Sequence, residues 1–342
     1  MKKKSKQIHF AFLLHPRNTD DIIRKYPFTK ILPEFVLIKI FNYLPSMVVS
    51  SIEGLKDEKG EERRGIVLSI PLLPKQMLQD KNNAKKIVIK AIKKARSLGA
   101  RHVGLGAFTS VVTSGGLDVK NKIPGIHITN GNAFTAYISY LGLNKLIKKH
   151  PEKKPTISIV GATGSIGSVI TELLIEEGNF KKLYIIGKTP SRIKELLQRF
   201  SSSTHYSKVF DRSLEDALPE SDIILIATSA DGAVVNVNNL KRGAFVYDIT
   251  QPKNISSELL ADSNIEVFEG GIVKLPKGVK VSNYIGTAKS EVFACLAETL
   301  LLSLLAYPDD FCLGKVTKEQ VTFIGKVANQ YNFRQAKIKR ML

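Results

Sequence analysis

The residues best able to do chemistry are a thiol and two carboxylates near the C-terminal end of the chain. Cys295 lies in an apolar run over 291–302, with Glu291 four residues before it and Glu298 three residues after it. In a helix this spacing puts all three side chains on one stripe. The alternative is a small core residue, the usual role of a cysteine in an apolar helix. Negative charge raises the pKa of a thiol, so a reactive Cys295 would need a base, a cation or a helix terminus from elsewhere.

A second candidate site is a glycine-rich turn between an apolar run at 157–160 and a helical run at 168–177. The glycines permit a tight turn and close approach of the backbone to a pyrophosphate, whose charge is favoured at a helix N-terminus. The alternative is an ordinary strand-to-helix turn. We predict a dinucleotide site with contacts from Gly161, Thr163, Gly164, Ser165, Ile166 and Gly167.

The end of the next apolar run indicates which dinucleotide binds. A carboxylate about 20 residues beyond the glycines is typical of NAD sites, whereas the 2′-phosphate of NADP calls for cations. Here Lys188 stands 21 residues after Gly167, followed by Thr189, Ser191 and Arg192. This pattern predicts NADPH, and the alternative is a set of solvated charges.

Later strand ends supply further candidates, because parallel sheets bind ligands beyond their carboxyl ends. Small or polar residues at these ends would leave room for the ribose and nicotinamide. Asp248 has two interpretations of equal weight, orienting a polar group or starting a turn before Pro252. The predicted cofactor contacts here are Thr228, Ser229, Asp248, Gly270 and Gly271.

Two loops in the first half are rich in glycine and hydroxyl groups. Their neutral donors could hold a carbonyl or a phosphate, although Asn132 could equally cap the helix that follows. The predicted substrate-binding residues are Thr109, Ser110, Asn132 and Thr135.

The pattern of the elements that must position these residues is typical of an α/β protein. Short apolar runs alternate with helical stretches, regularly so after residue 155, as in a doubly wound Rossmann-type sheet. We predict an N-terminal α/β substrate domain at 1–152, an NADP-binding domain at 153–289, and a purely helical C-terminal region at 290–342 that carries Cys295.

The composition limits the class of protein. The 342 residues include 51 Lys and Arg against 31 Asp and Glu, a formal charge of +20, and only two cysteines, Cys295 and Cys312. Two cysteines make neither a disulfide framework nor a metal cluster, which predicts a reducing cytoplasmic compartment. The apolar run at 8–14 lacks a cleavage site and is not interpreted as a signal peptide. The apolar stretch at 31–44 is predicted to be a core helix, with a helix lying on an anionic membrane as the alternative.

The chain resembles the long-chain acyl-[acyl-carrier-protein] reductases in four segments that follow the same order over about 65–305. These are LGAFTS at 105–110, TNGNAFTAY at 129–137, VGATGSIGS at 160–168 and FACLAE at 293–298. The resemblance implies that Cys295 attacks an acyl thioester and that NADPH reduces the enzyme-bound acyl group to a fatty aldehyde. The segments at 15–18 and 31–49 differ from the sequence pattern of the cyanobacterial members of this family.

The same resemblance suggests partners for the positive charge. Lysine-rich runs at 85–96 and 148–154 could steer an acidic acyl carrier protein, or acyl coenzyme A could be the donor. Three alternatives remain: a shikimate- or amino-acid-type dehydrogenase without a thiol, a non-catalytic nucleotide-binding scaffold, and a nucleic-acid-facing enzyme such as a glutamyl-tRNA reductase. The last of these carries its cysteine in the first domain, where this chain has none.

Overall fold

The computed structural model describes residues 7–230, 234–236 and 239–341. The chain divides into two compact units. The first comprises residues 1–131, 274–314 and 327–334, and the second comprises 132–273, 315–326 and 335–342. The predicted domains instead placed their boundary at 152/153 and kept the C-terminal region separate. The difference arises because the helix before the polar stretch at 148–155 belongs to the second unit, and the C-terminal segments are shared between both.

The strands are β1 Phe10–Leu14, β2 Met47–Lys56, β3 Glu62–Ser69, β4 His102–Leu105, β5 His127–Thr129, β6 Ile157–Val160, β7 Leu183–Ile186, β8 Val209–Asp211, β9 Ile223–Ile226, β10 Phe245–Asp248, β11 Glu266–Glu269, β12 Ile272–Lys274, β13 Lys280–Val281, β14 Glu291–Phe293 and β15 Arg334–Gln335. The α-helices are α1 Thr19–Lys25, α2 Glu34–Asn42, α3 Pro74–Gln79, α4 Lys81–Ser97, α5 Phe108–Val111, α6 Asn132–Lys149, α7 Ser165–Glu177, α8 Pro190–Arg199, α9 Leu214–Ala217, α10 Ser257–Ala261, α11 Ala294–Leu304 and α12 Lys318–Gln330.

The first unit is built on a six-stranded sheet in the order β13-β2-β3-β1-β4-β5. Strand β1 is central and parallel to both β3 and β4. Its sequence FAFLL is almost wholly buried, as expected for a parallel strand covered on both faces. The run at 8–14, considered above only as a leader segment, is therefore the middle of the first core.

Helix α11 covers this sheet at very short range. A methyl group on Gly104 of β4 would lie 1.9 Å from Oγ1 of Thr299 on α11. Only glycine allows the helix to approach the strand so closely, and this fixes where the N-terminal end of α11 lies relative to the carboxyl ends of the strands.

The second unit contains a fully parallel sheet in the order β11-β10-β9-β6-β7-β8. In order of appearance this is 3-2-1-4-5-6, read from β8, which is the Rossmann arrangement. The predicted α/β class and doubly wound sheet are confirmed. The strand order reverses between β6 and β9, so the loops after these two strands form the topological switch point at which such folds bind ligands.

Three local predictions are wrong. The C-terminal region is not purely helical, because β14 and β15 lie within it. The sequence pattern predicts a single helix over 75–98, but the structure has two, since Asp80 ends α3 and caps α4 by accepting a hydrogen bond from the backbone N–H of Asn83 at 2.9 Å. The apolar stretch at 31–44 forms α2, but only one of its faces is in the core. In the part of the chain that the structure describes, no helix has the length and apolar character needed to cross a bilayer.

Candidate active site

The thiol lies in the first turn of a helix at the carboxyl end of the first sheet. Phe293 is the N-cap of α11, which makes Cys295 the second residue of the helix. The neighbouring strand β5 ends at Thr129, and two residues later Gly131 packs on the cysteine. A methyl group on Gly131 would lie 2.3 Å from Cβ and 2.5 Å from Cα of Cys295, and the φ of Gly131 is +76°. Glycine is therefore required at position 131 for both its conformation and its size.

A buried polar pair lies one helical turn beyond the thiol. Glu298 and Thr129 are both almost completely buried, and the Thr129 hydroxyl donates a short hydrogen bond to Oε1 of Glu298. The same hydroxyl oxygen accepts a hydrogen bond from the Gly131 N–H at 3.3 Å. These bonds connect the end of β5 to the helix that carries Cys295. The prediction that the carboxylate and the thiol share one stripe of a helix holds for Glu298, because both residues lie on α11 and are three positions apart. It is wrong for Glu291, which lies in β14 because α11 begins only at Ala294.

The environment of the thiol disfavours its ionisation. Part of the Cys295 side chain is accessible, but burial raises the pKa of the thiol to about 12, and the charge of Glu298 adds to this. Backbone N–H groups of the first turn of α11 act in the opposite direction without overcoming burial. In the resting chain Cys295 is a protonated thiol, and an acceptor for its proton is needed before it can react as a nucleophile.

The turn after β4 is held by a histidine that the sequence did not single out. The Nδ1 atom of His15 lies 2.9 Å from the Pro16 carbonyl oxygen, and its Nε2 lies 3.3 Å from the Phe108 backbone nitrogen. The Phe108 N–H can only donate, so Nε2 is the acceptor and Nδ1 carries the proton. Burial lowers the pKa of His15, which keeps the ring neutral. The signal for it in the sequence was its place directly after the apolar run that forms β1.

This turn also contains a strained residue. Ala107 has φ 47° and ψ −123°, a conformation that costs a non-glycine residue about 1–3 kcal/mol and is concentrated at functional sites. The strain is maintained by hydrogen bonds on either side, from the Gly106 N–H to the Leu13 carbonyl at 2.9 Å and from the Thr109 hydroxyl to the Gly106 carbonyl at 2.7 Å.

The predicted substrate-binding residues fall into two groups. Thr109 and Ser110 lie on α5 in the first unit and are buried; the Thr109 hydroxyl is already used within its own turn. Asn132 and Thr135 lie in the first turn of α6, in the second unit. Direct contact of these four residues with a substrate stays a prediction.

The glycine-rich loop in the second unit fits a dinucleotide. Gly161 has a φ of +90°, and a methyl group there would lie 2.7 Å from the carbonyl oxygen of Ala227 at the end of β9. A methyl group on Gly167 would lie 2.3 Å from the Gly161 carbonyl oxygen. Gly164 is the N-cap of α7 and is exposed. The first N–H groups of α7 have no partner within the helix, so the loop presents the donors that a pyrophosphate needs.

The remaining residues of this loop differ in their contacts. The Thr163 side chain lies beside Gly187, which places the glycine loop next to the end of β7. The Ser165 hydroxyl accepts a hydrogen bond from the Val316 N–H at 3.0 Å, a structural contact within the second unit. Ile166 is half-buried in the first turn of α7.

The basic group after β7 is open to solvent. Lys188, Thr189 and Arg192 are all exposed, and Thr189 is the N-cap of α8. Since β6 and β7 are paired in parallel register, these side chains lie beyond the same sheet edge as the glycine loop. They can reach a group bound there without first breaking a buried contact.

Two other strand ends meet at this edge. Thr228 and Ser229 follow β9 at the switch point; a methyl group on Gly161 would lie 3.0 Å from Cα of Thr228. Asp248 is fully buried, and its carboxylate accepts hydrogen bonds from the N–H and hydroxyl of Thr250 at 2.8 and 2.6 Å and from the Asn254 N–H at 3.0 Å. This geometry favours the second interpretation of Asp248, a turn-forming residue.

The glycines after β11 have different reasons to be glycine. A methyl group on Gly270 would lie 2.6 Å from the Tyr247 ring, which indicates tight packing. Gly271 has a φ of +71°, and among the described residues other than its chain neighbours only Ile249 and Thr135 lie within 4 Å of the position its Cβ would take. Across residues 7–230, 234–236 and 239–341, no cluster of three or more His, Cys, Asp or Glu side chains could hold a metal ion.

Comparison with known proteins identifies related sequences over both units. The shikimate / quinate 5-dehydrogenase family model matches residues 145–269. The chain is 29% identical over 300 residues to aminotransferase PigE of Serratia sp., a match that covers 85% of this chain and 34% of that protein. It is 24% identical over 313 residues to the long-chain acyl-[acyl-carrier-protein] reductase of Synechococcus elongatus, covering 86% of this chain and 89% of that protein. The chain thus spans about a third of the length of the Serratia protein.

Similar solved structures include two dehydrogenases. Quinate dehydrogenase from Corynebacterium glutamicum, in complex with NAD, has a TM-score of 0.37 at 14% identity and covers 72% of this chain and 82% of that chain. L-tryptophan dehydrogenase from Nostoc punctiforme has a TM-score of 0.38 at 10% identity and covers 96% of this chain and 82% of that chain.

The family match, the curated reductase and the Rossmann strand order support an NAD(P)-dependent oxidoreductase. The resemblance of the sequence to the acyl-[acyl-carrier-protein] reductases is therefore supported only as far as this general class of oxidoreductase.

Proposed function

We propose that the protein reduces a long-chain fatty acyl thioester to a fatty aldehyde, through an acyl thioester on Cys295 and with NADPH as the reductant. The observation that carries the proposal is the position of the thiol. Cys295 stands in the first turn of α11, in contact with Gly131, one turn from a buried carboxylate. A cysteine with a purely structural role needs neither a glycine of positive φ packed on it nor a buried Glu298 beside it.

Each residue of this group has a role in the acyl-transfer step. The Cys295 sulfur forms a bond to the thioester carbonyl carbon, the bond from that carbon to the carrier sulfur breaks, and the thiol proton ends on the carrier sulfur. Glu298 is proposed to take up that proton in transit, because it lies one helical turn away and its charge acts on the thiol. Thr129 holds Glu298 in position through its hydroxyl.

The glycine loop and the basic group after β7 are proposed to hold the cofactor. The backbone at Gly161, Gly164 and Gly167 accommodates a pyrophosphate, while Lys188 and Arg192 bind the 2′-phosphate that distinguishes NADPH from NADH. Bound NADPH would supply the hydride that, with one proton, releases the acyl group as aldehyde and restores the Cys295 thiol.

The outer face of α4 is proposed to receive an acidic acyl carrier. Lys86, Lys90, Lys93 and Arg96 are exposed on this helix at spacings that place them on one side. Neighbouring cations are already engaged: Lys85 pairs with Asp118, and Lys94 donates to the Ser46 carbonyl at 2.6 Å. In the second lysine-rich run, Lys149 pairs with Glu266 at 2.9 Å.

The proposal is tested by Cys295→Ser, with Cys312→Ser as the matched control. Cys312 is the other cysteine of the chain and is buried. We expect Cys295→Ser to abolish aldehyde formation from a long-chain acyl carrier thioester while NADPH binding, measured by the fluorescence of the reduced cofactor, stays unchanged. The Cys312→Ser enzyme should keep both aldehyde formation and NADPH binding. Near-normal turnover by Cys295→Ser would overturn the proposal.

A second function is favoured by the family match at 145–269. In a shikimate- or quinate-type dehydrogenase, hydride transfer occurs without a covalent intermediate, and Cys295 would be a core residue. Two results together would establish this function instead. Cys295→Ser would oxidise a cyclic hydroxy acid such as quinate at the wild-type rate, and neither the wild type nor Cys295→Ser would reduce acyl thioesters.

A further inference from the structure

The surface formed by residues 24–44 exposes an unusually large number of large apolar side chains. Four large side chains are exposed by 73–87% of their area, namely Phe28, Ile31, Phe35 and Tyr43. Phe28 and Ile31 lie on the 3₁₀ helix Pro27–Ile31, Phe35 lies on α2, and Tyr43 directly follows α2. We call this surface the apolar face. Several large apolar side chains exposed within one short segment indicate a binding site, since isolated exposed apolar residues alone would be ordinary surface.

The apolar face is not the unused side of a normal amphipathic helix. Helix α2 already buries Leu37 and Phe41 against Ile22. The opposite side, which should be polar in a surface helix, carries Phe35, Lys39 and Tyr43 at intervals of four residues. The helix is therefore apolar on both sides, and only one side is covered.

The charges around the apolar face are almost all positive. Arg24, Lys30 and Lys39 are exposed within it. The only acid between residues 22 and 52 is Glu34, which accepts a hydrogen bond from the Thr19 hydroxyl at 3.1 Å. Exposed phenylalanine and tyrosine rings with lysines between them are typical of helices that lie in the interface of an anionic bilayer.

The apolar face is adjacent to the segment that leads to the thiol. The guanidinium carbon of Arg24 lies 5.0 Å from the centre of the Tyr284 ring. Two residues later, Gly286 packs against Phe293, since a methyl group there would lie 3.1 Å from that ring. Phe293 is the N-cap of the helix that carries Cys295.

We propose that the apolar face binds the surface of a lipid bilayer that contains anionic lipids. Side chains exposed by 73–87% project from the surface rather than line a groove, so they suit insertion between lipid chains better than docking of a protein ridge. A second copy of this chain is a poorer occupant, because a two-fold contact would bring the same three cations together from both copies. The interaction needs neither cofactor nor thioester and is independent of the proposed function.

The proposal is tested by flotation of the full chain with vesicles of phosphatidylcholine alone and of phosphatidylcholine mixed with phosphatidylglycerol. We expect the chain to bind the mixed vesicles. Its affinity for the neutral vesicles should be lower by a factor of about ten or more. The triple variant Phe28→Ser, Ile31→Ser, Phe35→Ser should lose binding to both. The double variant Lys30→Gln, Lys39→Gln should bind mixed vesicles about tenfold more weakly and neutral vesicles as the wild type does.

The matched control is Leu117→Ser, which removes an exposed apolar side chain elsewhere in the same unit and should bind as the wild type does. The thermal midpoints of all variants should match the wild type, since every replaced side chain is exposed. Absence of wild-type binding to mixed vesicles would overturn the proposal, and so would equal binding by the triple variant. A wild-type dimer that the triple variant converts to monomer, or loss only of binding to an acidic carrier protein, would assign the face to a protein instead.

Discussion

Replacing Gly131 by alanine should displace the thiol without removing any reactive group. The new methyl group would start 2.3 Å from Cβ of Cys295, whereas ordinary contacts begin near 3.4 Å. Residues 131 and 295 must therefore separate by about 1 Å. Because a displacement of about 1 Å at a reacting centre can lower a rate about 100-fold, we expect kcat/KM for aldehyde formation to fall by about that factor.

The same change should lower the stability of the first unit. Alanine at a φ of +76° costs about 1–2 kcal/mol relative to glycine, and overpacking adds about 1–3 kcal/mol. The loss can be measured by urea unfolding. NADPH binding, which we propose to depend on the glycine loop of the second unit, should not change.

Gly125→Ala separates the two causes. Gly125 has a φ of +73°, close to that of Gly131, but apart from its two chain neighbours no atom of the described residues lies within 4 Å of the position its Cβ would take. This variant should lose only the conformational part, about 1–2 kcal/mol, and keep wild-type turnover. If both variants have equal stability and turnover, the close contact between the β5 end and the thiol has no functional consequence and the reasoning is refuted.

Four further predictions concern single groups. Since burial raises the pKa of Cys295 to about 12, its alkylation by iodoacetamide should be slow at neutral pH and rise about tenfold per pH unit through pH 10; a plateau below pH 9 would contradict this. Glu298→Gln removes a charge that raises this pKa, so alkylation at a fixed pH should become faster, and a rate equal to that of the wild type would show that the charge of Glu298 does not act on the sulfur. Lys188→Ala and Arg192→Ala should each weaken NADPH binding about tenfold in titrations and leave NADH binding unchanged, whereas equal loss for both cofactors would remove the 2′-phosphate assignment. Asp248→Ala removes the acceptor of three hydrogen bonds and should lower the free energy of unfolding by about 3 kcal/mol with no change in cofactor preference; a stable variant with altered preference would assign Asp248 to the cofactor.

The Rossmann half of the protein could be predicted because its signals are local. A buried strand, three glycines and a helix follow one another within about twenty residues, and the strand order then follows from the regular alternation. Gly167 is glycine because of its contact with Gly161, which is close in the sequence. This constraint is visible in the order of residues along the chain, whereas the contact of Gly161 with the distant Ala227 is not.

The surroundings of the thiol could be predicted only in part, because they are assembled from distant segments. Glu298 is one turn from Cys295 and was recognised from its spacing. Glu291 has an equally suitable spacing, but the helix starts after it, and helix boundaries are poorly marked in a run where almost every residue is apolar. The contact of Gly131 with Cys295 and the role of His15 depend on which strands are neighbours in the first sheet. Its central strand β1 was not predicted, so neither feature could be inferred.

The face of α2 shows a similar limit. Periodicity identifies an apolar helix, but a core helix and a helix with one uncovered apolar side have the same composition. Only the exposure of Phe35 and Tyr43 in the folded chain, beside the burial of Leu37 and Phe41, distinguishes them.

The most direct test of the account is mass spectrometry of the peptide containing Cys295 after incubation with a long-chain acyl carrier thioester. Without NADPH, we predict that the peptide gains the mass of the acyl group, and that Cys312 stays unmodified. After addition of NADPH, the acyl mass should disappear as an equal amount of fatty aldehyde forms. An unmodified Cys295 with no aldehyde, or aldehyde formation without any acylated peptide in single-turnover samples, would contradict the covalent mechanism.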